Sequence, residues 1–352
     1  RTPQWPWTRR LISRLSSLPA QILTDTADPL SGYFAIRRER LLGLKGQVSG
    51  FKIGLELLGR FGQDLTVMEV PITFSERHFG RSKLSVPIAS AYLKQLLYLS
   101  GGHISASTGI RFAWVGLFGL LIDLLLFHLL LALGLGMGPA HIASFWAAAG
   151  FNFLLNAGWS FSHHGEKNES ISWLNLLLFL SIAMLALFLR GGFLAVLTSQ
   201  WHWPASTAIL VAIGAAALVN YLGCAYWVFP RKGSRVNTEF SWRIQALLLI
   251  SYAFVLRLVY LGLPELLQEE AYYWNYAQHP ATGYLDHPPM VAVLIWFGNL
   301  LFGQTEFAVR TGALLSWPIT AFFTFKMTRT IFGRSTAFRG LLFIAVLPVY
   351  FC

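Results

Sequence analysis

Charge is scarce in this sequence. Asp, Glu, Lys and Arg make up 12% of its 352 residues, about half the share of a soluble domain. So few charges cannot cover a water-facing surface of this size, and a mean hydropathy of +0.53 points to lipid as the solvent. Cysteine is nearly absent. Cys224 and Cys352 both sit in apolar segments without metal-ligand spacing, which excludes a disulfide framework. Acidic residues are outnumbered, 16 against 27 basic, for a formal net charge of +11. In a soluble protein that balance would suggest nucleic acid. Here the basic residues fall between apolar runs, so the expected partner is the anionic face of a bilayer. The chain opens on Arg1 without a signal peptide and stops at Cys352 inside an apolar run. It is therefore expected to be a piece of a longer polypeptide.

What is abundant is long apolar segments. A helical span needs about 20 residues. Six segments qualify, Ile110–Leu133, Ala140–Phe161, Trp173–Leu197, Ser206–Phe229, Ile244–Leu263 and Val309–Thr330, and a truncated seventh runs from Phe338. The connections alternate in basic charge. The segment 134–140 has no Lys or Arg, 162–172 has only Lys167, and 198–205 has none; 230–243 has Arg231, Lys232, Arg235 and Arg243. Residues 263–308 carry neither Lys nor Arg but hold Glu265, Glu269, Glu270, Asp286 and Glu306, and 326–339 are basic again. By the positive-inside rule the N-terminal region is cytoplasmic and the acidic loop 263–308 is extracytoplasmic. The expected fold class is a mainly α, polytopic membrane protein with a partial α/β domain at its N-terminus. Strand-like runs there are Tyr33–Ile36 and Val67–Phe74, and 50–61 reads as a helix. The stretch 85–100 is amphipathic, with Ile88, Tyr92, Leu96 and Leu99 on one side and Ser90 and Lys94 on another, a pattern that suits the membrane interface.

An internal repeat spans the first four segments. Asn152, Trp159 and Phe161 recur as Asn220, Trp227 and Phe229, each 68 residues on. An amide in lipid needs a partner, so the repeated Asn either joins helices or lines a path. Asp123 and Arg190 are charged residues within spans and carry the same alternative.

Three clusters carry chemistry. The first is Asp28-Pro-Leu-Ser31-Gly32-Tyr-Phe, with Glu56 on a helix, Glu69-Val-Pro-Ile, and the basic loop Arg77-His-Phe-Gly80-Arg81-Ser82-Lys83. Arg77, Arg81 and Lys83 can oppose a phosphate and Ser82 can donate to one; without chemistry, the same loop would anchor to anionic lipid. This set resembles the C-terminal third of dolichol-phosphate mannose synthase and its polyprenyl-phosphate glycosyltransferase relatives, over residues 20–85. The resemblance implies transfer of a sugar from a nucleotide sugar to polyprenyl phosphate (undecaprenyl or dolichyl) with a divalent metal, Mg or Mn. It implies that Arg77, Arg81, Ser82 and Lys83 hold phosphate while Asp28 and Ser31 shape the acceptor side. No Asp-x-Asp metal motif occurs in the chain; the family's metal site would precede residue 1, and residues 1–352 alone are not expected to turn over a nucleotide sugar.

The repeat region 110–229 resembles the GtrA-like family of four-span proteins, which implies anchoring of the transferase or carriage of its lipid-linked sugar. The third cluster is Gln268-Glu269-Glu270-Ala-Tyr-Tyr-Trp, followed by Tyr284-Leu-Asp286-His287-Pro-Pro in the acidic outer loop. Neighbouring carboxylates can supply a general base and orienting groups, and the aromatics suit sugar stacking or an interface; a solvated acidic loop is the alternative. With Arg310 opening the next span, the pattern over 244–352 resembles the start of the protein O-mannosyltransferase and lipid A aminoarabinose transferase superfamily. That resemblance implies a polyprenyl-phosphate sugar donor and puts Glu269 at the position of a catalytic Asp, with Glu270 and Asp286 on the accompanying acidic positions. Glu269 departs from the pattern by one methylene. In order, the expected domains are a partial transferase (1–85), an interfacial helix (86–104), the four-span module (110–229), a cytoplasmic linker (230–243) and the start of a second membrane transferase (244–352). The combination implies a prokaryotic plasma-membrane protein acting on a polyprenyl-phosphate sugar.

Overall fold

The computed structural model describes residues 7–24, 26–42, 50, 52–61, 65–72, 86–162, 171–230 and 238–346, and it is helical, with no strand among these residues. Two compact units divide it: Arg1–Ile182 with Tyr221–Gln245, and Ala183–Asn220 with Ala246–Cys352.

The first unit begins with α1 (Trp7–Leu23), α2 (Arg38–Leu42), α3 (Ile53–Phe61) and α4 (Val86–Leu99). Ala20, Leu55, Leu96 and Leu99 form its core, with Tyr92 and Ile244 packed against them. The apolar side of α4 expected to meet lipid therefore packs largely on α1 and α3. It is α1 that shows the interfacial pattern outward: Trp7, Leu11, Leu15 and Leu18 are exposed at one- and two-turn spacings, and Arg10 and Arg14 are exposed beside them, the form of a helix lying on anionic lipid.

Glu56, fully buried on α3, is a packing residue. Its Oε1 meets Arg60 at 2.7 Å and its Oε2 accepts from Gln95 Nε2 on α4 at 2.9 Å. The same Gln95 amide donates to the Lys52 carbonyl at 3.0 Å and accepts the Lys52 N–H at 3.3 Å. Removing one member of a buried, hydrogen-bonded pair costs about 3–5 kcal/mol. Glu56→Ala is accordingly expected to lower the thermal unfolding midpoint markedly, and Glu56→Gln, which keeps an acceptor for Gln95, to lower it less; equal melting of both variants and the parent would contradict this role.

Next comes α5 (Ala106–Ala132). It starts where Ser105 Oγ accepts the Thr108 N–H at 3.1 Å and Thr108 Oγ1 accepts the Ser105 N–H at 2.9 Å, a reciprocal cap. Its 27 residues reach about 40 Å. The following α6 (Met137–Leu155) runs into a π-helical turn, Asn156–Ser160, and α8 (Ala205–Gly223) runs into another, Cys224–Val228. These turns are 68 residues apart, the register of the sequence repeat, so the repeat extends to backbone geometry. The rings confirm it. Phe153 stacks on Phe229 (5.8 Å, 27°) as Tyr221 stacks on Phe161 (6.0 Å, 30°), and Phe161 and Phe229 stack on each other at 5.2 Å. Phe153 corresponds to Tyr221 and Phe161 to Phe229, so these four rings obey a local two-fold relation.

The second unit holds α7 (Trp173–Ala195) from Ala183 with a π-helical turn at Val196–Gln200, then α8 to Asn220, α9 (Thr238–Tyr260) from Ala246, α10 (Gln268–Gln278), α11 (Met290–Phe302), α12 (Glu306–Phe332) and α13 (Arg334–Val346). Helices α10 to α13 pack in succession around Ala277, Ile295 and Val309, with Tyr273 and Trp274 against them. Arg257 of α9 is buried. Its guanidinium lies 4.3 Å from the Trp317 ring centroid on α12 and donates to the Ala345 carbonyl on α13 at 3.3 Å.

Among the described residues, four helical stretches are long and apolar enough to cross a membrane: Ala106–Ala132, Trp173–Gln200, Ala205–Val228 and Ser241–Tyr260. Of the other expected spans, Ala140–Phe161 is helical to Ser160 and Val309–Thr330 lies within α12. They are less apolar, because α6 and its π-turn carry His141, Asn152 and Asn156, while α12 carries Glu306, Arg310, Lys326 and Arg329. The seventh segment is helical from 338 to Val346 and then leaves the described residues. The expected strands need correction: 33–36 and 67–72 form no strand. Strand character in a short run is realised only by pairing, and no ladder partner exists among the described residues.

Candidate functional site

The acidic segment 263–308 folds into a connected cluster of carboxylates and tyrosines in the second unit. Helix α10 presents Glu269 and Glu270 in its first turn, and the two carboxylates part company. Glu270 is held bidentately by Arg310 of α12, with Nε to Oε1 at 2.7 Å and Nη2 to Oε2 at 2.6 Å. The Arg310 guanidinium also donates to the carbonyls of Leu261 (2.8 Å), Pro264 (2.9 Å) and Glu265 (2.9 Å). Its five N–H donors are thus all engaged, and it fastens the α9–α10 connection to α12. Burial pushes the Glu270 carboxyl up, but the Arg310 hydrogen bonds, the Leu267 N–H and the Arg310 charge together hold it below the usual range. Glu269 is exposed on α10 and makes no hydrogen bond or ion pair among the described residues.

Asp286 lies across a turn from α10. It accepts from Tyr276 at 2.5 Å and from Tyr272 at 3.1 Å, and the Tyr276 hydroxyl also meets that of Tyr272. The Tyr276 hydrogen bond, aided by Tyr272 and the nearby His287, holds the Asp286 carboxyl low. Desolvation first, then the Asp286 and Tyr272 hydrogen bonds, push the Tyr276 phenol up, so at neutral pH it is a donor. Tyr276 stacks on Tyr284 at 4.0 Å, and Tyr273 meets His287 Nε2 at 3.2 Å. The result is one exposed carboxylate beside an aromatic wall whose hydroxyls surround a second carboxylate. Arg310 and the two tyrosines are the positioning residues that sequence alone did not assign; the one available signal was Arg310 standing at the start of the next apolar run.

In the first unit, the motifs 28–34, 52–56 and 69–72 converge. Glu69 Oε1 accepts the Ala27 N–H at 2.6 Å, Lys52 Nζ donates to the Leu30 carbonyl at 2.8 Å, and the Ser31 N–H donates to the Asp28 carbonyl at 3.2 Å. Asp28 is exposed on that turn, and Ser31 Oγ accepts the Tyr33 N–H. Arg77, Arg81, Ser82 and Lys83 lie outside the described residues. Among the described residues no three His, Cys, Asp or Glu side chains gather as a metal site.

Within the spans, Asp123 and Asn152 lie in the first unit, Arg190 and Asn220 in the second. Asp123 Oδ1, Asn152 Oδ1 and Asn220 Oδ1 are buried without a hydrogen-bond partner. So are Asn156 Oδ1 and Ser160 Oγ, two residues that the sequence reading passed over. Gly119 of α5 sits so close to the Asn152 amide that a Cβ there would collide with it.

Comparison with known proteins finds likenesses over parts of the chain. Residues 111–229 match the family described as GtrA/DPMS, transmembrane domain, and residues 286–352 match dolichyl-phosphate-mannose-protein mannosyltransferase. The chain is similar to the dolichol-phosphate mannosyltransferase of Pyrococcus furiosus, 34% identical over 161 residues, which is 45% of this chain and 46% of that protein. It is 38% identical over 99 residues to the Saccharomyces cerevisiae dolichol-phosphate mannosyltransferase, covering 26% of this chain and 37% of that one. Identity to the Mycolicibacterium smegmatis polyprenol monophosphomannose synthase is 37% over 87 residues, 23% of this chain and 33% of that one. The chain thus spans between a third and a half of the length of these relatives. It is a membrane protein with mannosyltransferase homologues.

Proposed function

We propose that this chain belongs to a fused system handling one polyprenyl-phosphate sugar on both faces of a prokaryotic plasma membrane. The N-terminal module takes part in loading sugar from a nucleotide sugar onto polyprenyl phosphate in the cytoplasm, where a divalent metal would neutralise the diphosphate. The four-span region anchors or carries the product. The outer module uses it as donor. In that last step Glu269 accepts the proton of an acceptor hydroxyl. The acceptor oxygen bonds to the anomeric carbon while the carbon–oxygen bond to the lipid phosphate breaks, and the phosphate leaves with the electron pair. Glu270, locked to Arg310, positions the turn that presents Glu269, and Asp286 with Tyr272 and Tyr276 forms the wall beside it.

The observation that carries this reading is the unequal pair, one carboxylate free and exposed and its neighbour clamped. Mannose is the sugar favoured by the relatives' names. The test uses full-length protein in proteoliposomes supplied with polyprenyl-phosphate mannose and a hydroxyl acceptor. Release of polyprenyl phosphate is expected; passage of the supplied lipid-linked sugar across the membrane without any release would show the outer module to be non-catalytic. That second outcome fits the other reading, a lipid-linked-sugar flippase or scaffold, which the unpartnered polar atoms of α5 and α6 favour.

A further inference from the structure

We infer that the α5–α6 hairpin carries a hydroxyl-binding row, Asp123, Asn152, Asn156 and Ser160, which receives the sugar of a lipid-linked donor and not its phosphate. This rests on the reading of the four-span region as a carrier. Three observations support it.

The first is that the row is unsatisfied. Asp123 Oδ1, Asn152 Oδ1, Asn156 Oδ1 and Ser160 Oγ are buried and unpartnered, and Asn156 and Ser160 are only 2% and 1% exposed. Buried polar groups are nearly always paired, so four in one hairpin demand a reason. Asn152, Asn156 and Ser160 follow at four-residue steps, and α5 packs against both α6 and its π-turn. Gly119 meets Asn152, and Asp123 stands one turn further along α5. Residues 152 to 160 alone cover about 12 Å.

The second is that the fold does not need these residues. In the repeat, Asp123 corresponds to Gly191, Asn156 to Cys224 and Ser160 to Val228; only Asn152 keeps its amide, as Asn220. The second copy forms the same π-helical turn with Cys224 and Val228 buried at 0% and 1%. One hairpin is polar where its twin, at equal register, is apolar. Helix glue would need partners, and none exists among the described residues.

The third is chemical. Every orphan atom is an oxygen, and three of the four can only accept. The missing partners are donors. A lipid phosphate brings further acceptors, whereas a sugar brings a ring of hydroxyl donors. A single cation would gather its oxygens within about 2.5 Å, which a row drawn out along two helical turns does not allow.

The experiment uses full-length protein in proteoliposomes. The paired substitution Asn156→Cys with Ser160→Val transplants the second copy into the first. It is expected to leave the melting temperature unchanged or raised, to slow passage of a short-chain polyprenyl-phosphate mannose at least tenfold, and to leave its formation on the cytoplasmic face intact. Unchanged passage overturns the inference, and so does a lowered melting temperature, which would mark the residues as glue. In a second arm, Ser160→Cys in full-length protein with every other cysteine, Cys224 and Cys352 included, replaced by serine is titrated with a small methanethiosulfonate. Labelling is expected, slowed by short-chain polyprenyl-phosphate mannose but not by the same polyprenyl phosphate without sugar. Equal slowing by both assigns the row to phosphate, slowing by neither assigns it to water alone, and absence of labelling denies access; each overturns the inference. Neither arm depends on the outer transferase, so Glu269→Gln should leave both unchanged, and failure there remains separate from failure here.

Discussion

Glu269→Gln is expected to reduce outer-face transfer from polyprenyl-phosphate mannose by about 10²–10⁴, the range a positioned general base contributes. The change keeps size and hydrogen-bonding capacity and removes only the basic site. Because Glu269 is exposed and bonded to nothing among the described residues, folding stability should move by less than about 0.5 kcal/mol. Loading of the lipid on the cytoplasmic face should be untouched, since that module lies in the other unit. A variant with the parent's rate of polyprenyl phosphate release would remove Glu269 from the chemistry. Glu269→Asp tests the longer arm: if the extra methylene is built into this site, the aspartate should recover only part of the lost rate.

Arg310→Ala should do the reverse, damaging structure first and activity as its consequence. The side chains of Arg310 and Glu270 are 10% and 14% exposed, and removing one partner of such a buried pair costs about 3–5 kcal/mol. Three backbone carbonyls lose their donor as well. Glu270→Ala should be nearly as harmful, and the double variant less than additive, with a coupling of about 0.5–3 kcal/mol in a double-mutant cycle of thermal or denaturant unfolding. Strict additivity would mean that the two side chains do not act as a unit. The pH dependence follows in sign. The folded Glu270 carboxyl lies below its ordinary value, about 4.3 in an unfolded chain. Its contribution is therefore complete at neutral pH and is lost as pH falls below about 4.3 and through the folded value. Glu270→Gln should show no corresponding loss across that acid window.

These two variants also show where sequence stops. Glu269 and Glu270 are adjacent and chemically alike, and only a guanidinium forty residues downstream separates their roles. The apolar runs and the 68-residue echo of Asn, Trp and Phe were legible, because span length and side-chain identity are local. The π-helical turns and the stacked rings were not, since no periodicity marks a widened turn. For α4 the pattern revealed an apolar side but not what covers it; α1 and α3 do so. The strand-like runs 33–36 and 67–72 illustrate the same limit, as pairing belongs to the neighbour and not to the run. Asn156 and Ser160 could have been found by asking where the repeat breaks its own rule.

The arginines of the second unit bear on how firmly Glu269 is held. Arg257 joins α9 to α12 over Trp317, and Arg310 joins the turn after α9 to α12 again at the Leu261 carbonyl. These two ties, one turn apart in sequence, hold α9 and the turn after it to α12 at two levels. A shift of either helix must therefore carry the turn that leads into α10, and Glu269 with it.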